Sequence, residues 1–295
     1  MTEMPTEPKK EYLLEKRLKE ESPHLHKRMT QCIVILQKML EQHLTWFPTF
    51  TDHSILHSLD VLDYCNRLLG EQVKELSQAE CYVLVMSCYL HDVGMGVSRR
   101  NFEQYAEELG YEAYRLEHPG NTEADFIRDL HNEFSALMIR QYSRQLFEIP
   151  SENLLFSICQ VSRGHRRTDL YDEKDYPDLE TPDGVIRTSF LASVLRLADE
   201  IDVAADRNPE LLFDTSSLTR QRDIDAFGTH DSIRTVEVRP DSIVLYAKPI
   251  EPRYVPLVED VAGKIQKTLD YCRGAAQARS DLRITQEEVL IDWIE

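Results

Sequence analysis

The sequence predicts a mainly α-helical fold that ends in a small β unit and a closing helix. Apolar residues recur at helical spacing through most of residues 11–203, as in helices that each bury one face. Two segments after residue 208 instead alternate apolar and polar side chains, as half-buried strands do. With 295 residues, 42% of them hydrophobic, the chain can build a large core without disulfides.

An N-terminal helical unit is predicted over residues 1–50. Residues 1–10 have the composition of a frayed tail, and a charged helix is expected near residues 11–20. Ser22 offers an N-cap directly before Pro23, so a second helix should begin there.

A helical core unit is predicted over residues 51–205. Ser77 and Glu80 have the spacing of a capping box and mark the start of its most apolar helix. The predicted helices cover residues 54–69, 78–90, 98–109, 122–146, 151–164 and 184–203.

Residues 206–295 are predicted to form an α+β appendage packed on that core. The segments RTVEVRP and DSIVLYAKP flank Pro240-Asp241 and predict two strands joined by a tight turn. Apolar residues at i, i+4 spacing then predict a helix over residues 255–279. The strand-like segment DLRIT, residues 281–285, precedes an acidic end.

Charge and composition exclude several classes of protein. The chain has 34 basic and 52 acidic residues, and its net charge of −18 argues against non-specific binding to nucleic acids or anionic membranes. No apolar run is long enough for a membrane span, and the N-terminus has no signal-peptide core. The six cysteines include no CxxC pair and suit small buried residues in a reducing compartment, so we expect a cytoplasmic protein.

Histidines and aspartates lie where core helices should be apolar. When each helix is projected at 100° per residue, four of them share a stripe with aliphatic or aromatic residues: His57, His131, His165 and Asp199. His91-Asp92 closes the most apolar helix of the chain. A single buried histidine is more often a hydrogen-bonded core residue, but several on separate helices favour a metal site. Imidazole and carboxylate ligands suit Mn, Fe, Zn, Co or Ni, and this number of ligands could hold two ions.

Three segments in order resemble a known signature. The HS pair at His57-Ser58, the stretch LHDVGMG that holds His91-Asp92, and LRLADEID with Asp199 resemble the HD superfamily of metal-dependent phosphohydrolases. The resemblance covers about residues 50–205 and implies a helical HD-domain core. His131 in HNEFSA and His165 in SRGH match the two extra histidines of members with a two-metal site.

The resemblance implies which residues carry the chemistry. One or two divalent ions (Mn, Fe, Zn, Ni, Co or Mg) would be bound, the first by His57, His91, Asp92 and Asp199. Asp92 would bridge to a second ion held by His131 and His165, and a hydroxide between the ions would attack phosphorus. The catalytic set is therefore His57, His91, Asp92 and Asp199.

The sequence departs from one branch of that superfamily. Many cyclic-dinucleotide phosphodiesterases carry lysine directly after HDxG, where this chain has Met95, and their Gly-Tyr-Pro element is missing. Cleavage of cyclic-di-GMP is therefore disfavoured. The segments TDHSILHS and SRGHRR resemble those of stand-alone or effector-associated HD proteins in bacterial conflict and nucleotide signalling.

Phosphate recognition requires cations near the metals, and several arginines flank the predicted ligands. The predicted substrate-binding residues are His53 and four arginines, Arg163, Arg166, Arg167 and Arg196. His53 lies four residues before His57 and could instead be the ligand on that helix. Residues 169–183 could form a lid, and residues 99–121 a substrate wall whose tyrosines stack on a base.

The function predicted from the sequence is divalent-metal-dependent hydrolysis of a phosphoester or phosphoanhydride in a nucleotide-like small molecule. Nucleotidase, phosphodiesterase and pyrophosphohydrolase activities all stay open. One alternative is a catalytically weak module that binds a nucleotide and signals to a partner protein through the β appendage; another is an oxygenase with a mixed-valent iron pair. Self-association and an effector partner are both compatible with the sequence.

Overall fold

The computed structural model describes residues 12–40, 42, 45–47, 55–205 and 221–294, and confirms the mainly α-helical prediction. Its first nine helices are α1 (Leu13–Glu21), α2 (Pro23–Leu40), α3 (Ile55–Leu69), α4 (Gln78–Leu90), α5 (Arg99–Glu108), α6 (Tyr111–Glu117), α7 (Glu123–Tyr142), α8 (Glu152–Arg163) and α9 (Thr188–Glu200). Most bounds lie within a few residues of those predicted. The exception is α9, because residues 184–187 form a strand.

Helix α4 is the centre of the core. Residues 79–90 are all buried, and α1, α2, α3, α8 and α9 pack around them. The predicted capping box is confirmed: Ser77 Oγ accepts the Glu80 N–H, and the Glu80 carboxylate accepts the Ser77 N–H. Arg187 neutralises the buried Glu80 carboxylate, with Nε 2.8 Å from Oε1. Because the helix is buried on every side, its C-terminal end, which His91 follows, lies deep inside the protein.

A 3-10 turn, Val93–Gly96, follows α4 and lies directly against α7. The Gly94 N–H donates to Ser135 Oγ at 2.8 Å. A Cβ on Gly94 would lie 2.3 Å from the carbonyl oxygen of His131, so only glycine allows this approach. Gly94, the first glycine of LHDVGMG, therefore allows the end of α4 to lie against His131 of α7.

Two small sheets complete the fold. An antiparallel hairpin joins β1 (Asp178–Thr181) to β2 (Gly184–Arg187). β1 lies in the segment predicted as a lid, residues 169–183, and β2 follows it. The second sheet has the order β3-β4-β5, with β3 (Ile233–Val238) antiparallel to β4 (Ser242–Ala247), as predicted.

The last strand corrects the sequence-based assignment. β5 is Glu288–Trp293, and it pairs with β4 in parallel, whereas the strand was expected at residues 281–285. Two helices flank the sheet: α10 (Gln221–Ser232), which was not predicted, and α11 (Val255–Arg279), which has the predicted bounds. α11 packs on α9 as well as on β5, and so joins the β unit to the helical core.

All six cysteines are buried and free. Within the described ranges, no helix has the length and apolar character that a membrane span requires.

Candidate metal centre

The ends of four helices and the middle of α7 meet at one buried point. His57 lies in the first turn of α3, His91-Asp92 directly follows α4, His131 lies within α7, and His165 follows α8. Each of these residues is at most 6% exposed. Asp199, near the end of α9, has a side chain that is 20% exposed, so the centre is accessible to solvent on that side.

The donor atoms form two groups that share Asp92, defined as the first triad (His57, His91, Asp92) and the second triad (Asp92, His131, His165). Within each triad the donor atoms lie within 4.8 Å of one another, the spacing of groups that could hold a metal ion.

The two histidines of the first triad lie around one oxygen of Asp92, Oδ2. His57 Nε2 lies 3.1 Å from His91 Nε2, and the two nitrogens lie 3.5 and 3.6 Å from Asp92 Oδ2. Asp199 Oδ1 is 3.3 Å from His57 Nε2 and 3.6 Å from His91 Nε2. The structure therefore brings the four residues predicted for the first ion into one cluster.

The two histidines of the second triad lie around the other oxygen of Asp92, Oδ1. His131 Nε2 lies 2.7 Å from His165 Nε2, and these nitrogens are 3.3 and 3.6 Å from Asp92 Oδ1. The two oxygens of Asp92 thus point to different pairs of histidines. This is the arrangement that a carboxylate bridging two ions needs.

Hydrogen bonds on the far side of each ring orient the four imidazoles. The Nδ1 atoms of His91, His131 and His165 lie 2.9, 2.7 and 2.5 Å from the carbonyl oxygen three residues earlier in the chain. A carbonyl oxygen only accepts, so Nδ1 must carry the hydrogen. In the neutral ring Nε2 then holds a lone pair directed at the centre, as a metal ligand requires. The donor set and its orientation fit divalent ions.

His57 is oriented by a carboxylate instead of a carbonyl. Its Nδ1 lies 2.6 Å from Oδ2 of Asp202, a residue that is only 2% exposed. Asp202 lies in the same LRLADEID segment as Asp199, but the sequence-based prediction assigns it no role. The predicted helix runs to residue 203, whereas α9 ends at Glu200, so Asp202 lies beyond the helix.

The two triads differ in electrostatics. Burial opposes protonation of His91, but the Asp92 and Asp199 carboxylates outweigh it and raise the pKa to about 9. At His131 burial dominates and lowers the pKa to about 4. The pKa of His165 lies well below its ordinary value because of burial and the neighbouring His131. Burial would raise the pKa of Asp199, but hydrogen bonds from His57 and His91 hold it well below the usual range.

Two of the arginines predicted to bind substrate are occupied by other groups. Arg163 Nε lies 2.8 Å from both carboxylate oxygens of Glu133, and its Nη1 is 2.8 Å from Asp175. Arg196 is 9% exposed and donates to the carbonyl oxygens of Gly164 and Thr168 at 2.6 and 2.8 Å. The prediction is therefore revised: both side chains hold the segment around His165 in place, and their donors are used for that purpose.

The other two arginines remain candidates for phosphate. Arg166 is half-buried and Arg167 exposed, and neither guanidinium has a hydrogen-bond or ion-pair partner among the described residues. His53 lies outside the residues that the structure describes.

Comparison with known proteins gives one positive result. No curated protein matches this chain. The profile of the HD-CE family matches residues 47–281, which include all the residues of the candidate centre and most of the β unit. That match covers well over half of the chain, and the conclusion is that this protein belongs to the HD-CE family.

Proposed function

We propose that this protein is a divalent-metal-dependent phosphohydrolase that cleaves a phosphoester or phosphoanhydride of a nucleotide-like small molecule. The observation that carries the proposal is the pair of buried triads joined by the two oxygens of Asp92. A single ion with a structural role would need only one triad, whereas hydrolysis by two ions needs both.

The geometry of the two triads supports one assignment of the ligands. His57, His91 and Asp199 would serve one ion and His131 and His165 the other, with Asp92 common to both. Two divalent ions bound side by side would neutralise the negative charge of a phosphoryl group and lower the pKa of a bound water. Imidazole and carboxylate ligands favour Mn, Fe, Co, Ni or Zn over a purely oxygen-ligated ion.

The protein's own side chains would capture the substrate. Because the net charge is −18, the long-range field repels nucleotides, and binding must come from short-range contacts. Arg166 and Arg167 follow His165 directly, and we assign them the contacts to phosphate oxygens. Charge-assisted hydrogen bonds of this kind are each worth about 1.5–3 kcal/mol.

The test is a substrate screen. Purified protein is incubated with nucleoside mono-, di- and triphosphates and with cyclic dinucleotides, each with Mn²⁺, Mg²⁺, Ni²⁺ or Co²⁺. We expect chromatography to detect phosphate or nucleotide products, and we expect EDTA to prevent their formation. Oxygen uptake by iron-loaded protein, with no phosphate product under any condition, would contradict the proposal and identify an oxygenase.

A second candidate is a binding module that reports a nucleotide to a partner protein. It is supported by β5, the outer strand of its sheet, which is followed by the exposed Ile294 and carries Leu290 and Trp293, both at least 40% exposed. An exposed strand edge with apolar side chains is a surface on which a partner strand can pair. Nucleotide binding without turnover by metal-loaded protein would favour this second function.

A further inference from the structure

A polar pocket lies beside the second triad, between α6 and α7. Its volume is about 390 Å³, within the range of about 300–1,000 Å³ that is typical of small-molecule sites. Its lining includes Tyr114, His118, Asp129, Asn132, Arg166 and Arg167. Glu133 also lines the pocket, but its carboxylate is paired with Arg163. Aromatic rings, two carboxylates and two guanidinium groups therefore line one space.

Two residues that line this pocket are sequence neighbours of the second triad. Asn132 directly follows His131 on α7, and Arg166 directly follows His165. α7 departs from helical geometry at Leu130 (φ −121°, ψ 20°), the pocket residue immediately before His131. A phosphate held by Arg166 and Arg167 would therefore leave the rest of its molecule in this pocket.

The aromatic wall of the pocket is held in place. The rings of Tyr114 and His118 stack with centroids 4.5 Å apart and an interplanar angle of 27°. The Tyr114 hydroxyl accepts from Asn121 Nδ2 at 2.6 Å and donates to Asp129 Oδ2 at 2.7 Å. His118 is exposed, so its outer face is available to stack on a planar ring.

The carboxylate of Asp129 determines which ring is favoured. Its side chain is 43% exposed, and its Oδ1 lies 3.8 Å from Arg128 Nε, beyond hydrogen-bond distance. A carboxylate only accepts hydrogen bonds, and so it favours a base edge with N–H donors. Guanine presents two adjacent donors, its N1–H and 2-amino group. Hypoxanthine lacks the amino group, and adenine places a ring-nitrogen acceptor beside its single amino donor.

We propose that this pocket is the base subsite of the substrate, that the Tyr114–His118 pair stacks on a purine, and that Asp129 selects guanine. The proposal rests on the proposed function, because it assigns the pocket to the organic part of the same substrate. Arg166 and Arg167 then bind phosphate at the junction between the pocket and the second triad.

The first experiment measures binding and needs no turnover. GMP, IMP and AMP are titrated into the metal-free protein in EDTA by calorimetry. GMP is expected to bind at least about tenfold more tightly than IMP or AMP, as for a site that hydrogen-bonds a group the analogue lacks. Asp129→Ala should reduce the affinity for GMP to that for IMP. Tyr114→Ala should weaken all three nucleotides, and Tyr114→Phe should restore most of the stacking.

The control is Glu107→Gln, an exposed change on α5 outside the pocket, which should bind all three nucleotides as the parent does. Thermal melting checks that each variant is folded. Equal affinity for GMP, IMP and AMP, no measurable binding of any of them, or an Asp129→Ala protein with unchanged selectivity would each overturn the assignment.

A second experiment separates this proposal from the proposed function. Metal-loaded protein is assayed with bis(p-nitrophenyl) phosphate, which has no base, and with whichever guanine nucleotide the screen finds to be cleaved. Asp129→Ala should lower the ratio of kcat/KM for the nucleotide to that for the simple ester by at least about tenfold. Metal-dependent hydrolysis with an unchanged ratio overturns the subsite alone. If neither compound is hydrolysed, the proposed function fails, and the binding titration still decides the subsite.

Discussion

The first and second triads use the same kinds of ligand in different surroundings. The first is backed by two further carboxylates, Asp199 and Asp202, whereas the imidazoles of the second are backed by backbone carbonyls and lie near Arg166. Ligand identity alone would make the two sites equal. From the surrounding charges we expect the first triad to attract a cation more strongly, and an anionic substrate to bind beside the second.

The largest effect is expected where the two triads meet. Asp92→Ala removes the carboxylate common to both, so metal content and hydrolysis should both fall to background. Elemental analysis and phosphate release measure the two quantities. Glu259→Ala, an exposed change on α11, should retain both. An Asp92→Ala protein that keeps a full complement of metal would break the comparison, because the triads would then not depend on a shared ligand.

The next effect sharpens the role of the second triad. An Arg166→Ala/Arg167→Ala double variant should raise KM or lower kcat/KM by roughly ten- to a hundredfold per lost contact, with metal content unchanged. Arg→Lys changes should rescue only part of the loss, because an ammonium group lacks the planar fork of a guanidinium. Hydrolysis equal to that of the parent would show that phosphate is bound elsewhere.

A smaller effect is expected behind the first triad. Asp202→Asn removes the charge that orients His57, and such changes typically cost about 10–100-fold in metal affinity. Competition with a fluorescent chelator measures that affinity. Asp241→Asn, in the exposed turn between β3 and β4, is the matched control. Should both variants bind metal like the parent, Asp202 has no positioning role.

The smallest effect, when compared for a single pH unit, is a difference in pH dependence. With a pKa of about 9, His91 is protonated at neutral pH in the metal-free protein, and an ion must displace that proton. Affinity at the first triad should therefore rise with pH and level off near pH 9, by up to about tenfold per pH unit. His131, with a pKa of about 4, is already neutral, so affinity at the second triad should be nearly flat above about pH 5. Calorimetry in buffers of different ionisation enthalpy counts the released protons.

The helices and the inward-facing site residues could be predicted from the sequence because they depend on local periodicity. His57, His131 and His165 each share a stripe with apolar residues. A polar group buried on such a stripe must be hydrogen-bonded, paired with a charge or bound to a metal. The cap at Ser77 is also a local signal, readable from spacing alone.

The remaining features depend on contacts between distant segments. Arg163 and Arg196 are arginines beside a predicted ligand, and only the fold reveals that their donors are used by Glu133, Asp175 and backbone carbonyls. β5 is fixed by parallel pairing with β4, which lies more than forty residues earlier in the chain. Neither kind of information is contained in a window of sequence.

Anomalous scattering from crystals grown with Mn²⁺ tests the central claim most directly. Two peaks are predicted, one against His57, His91 and Asp92 and one against Asp92, His131 and His165, with the first peak retained at lower Mn²⁺ concentration than the second. Peaks away from these residues, or none at saturating Mn²⁺, would contradict the account.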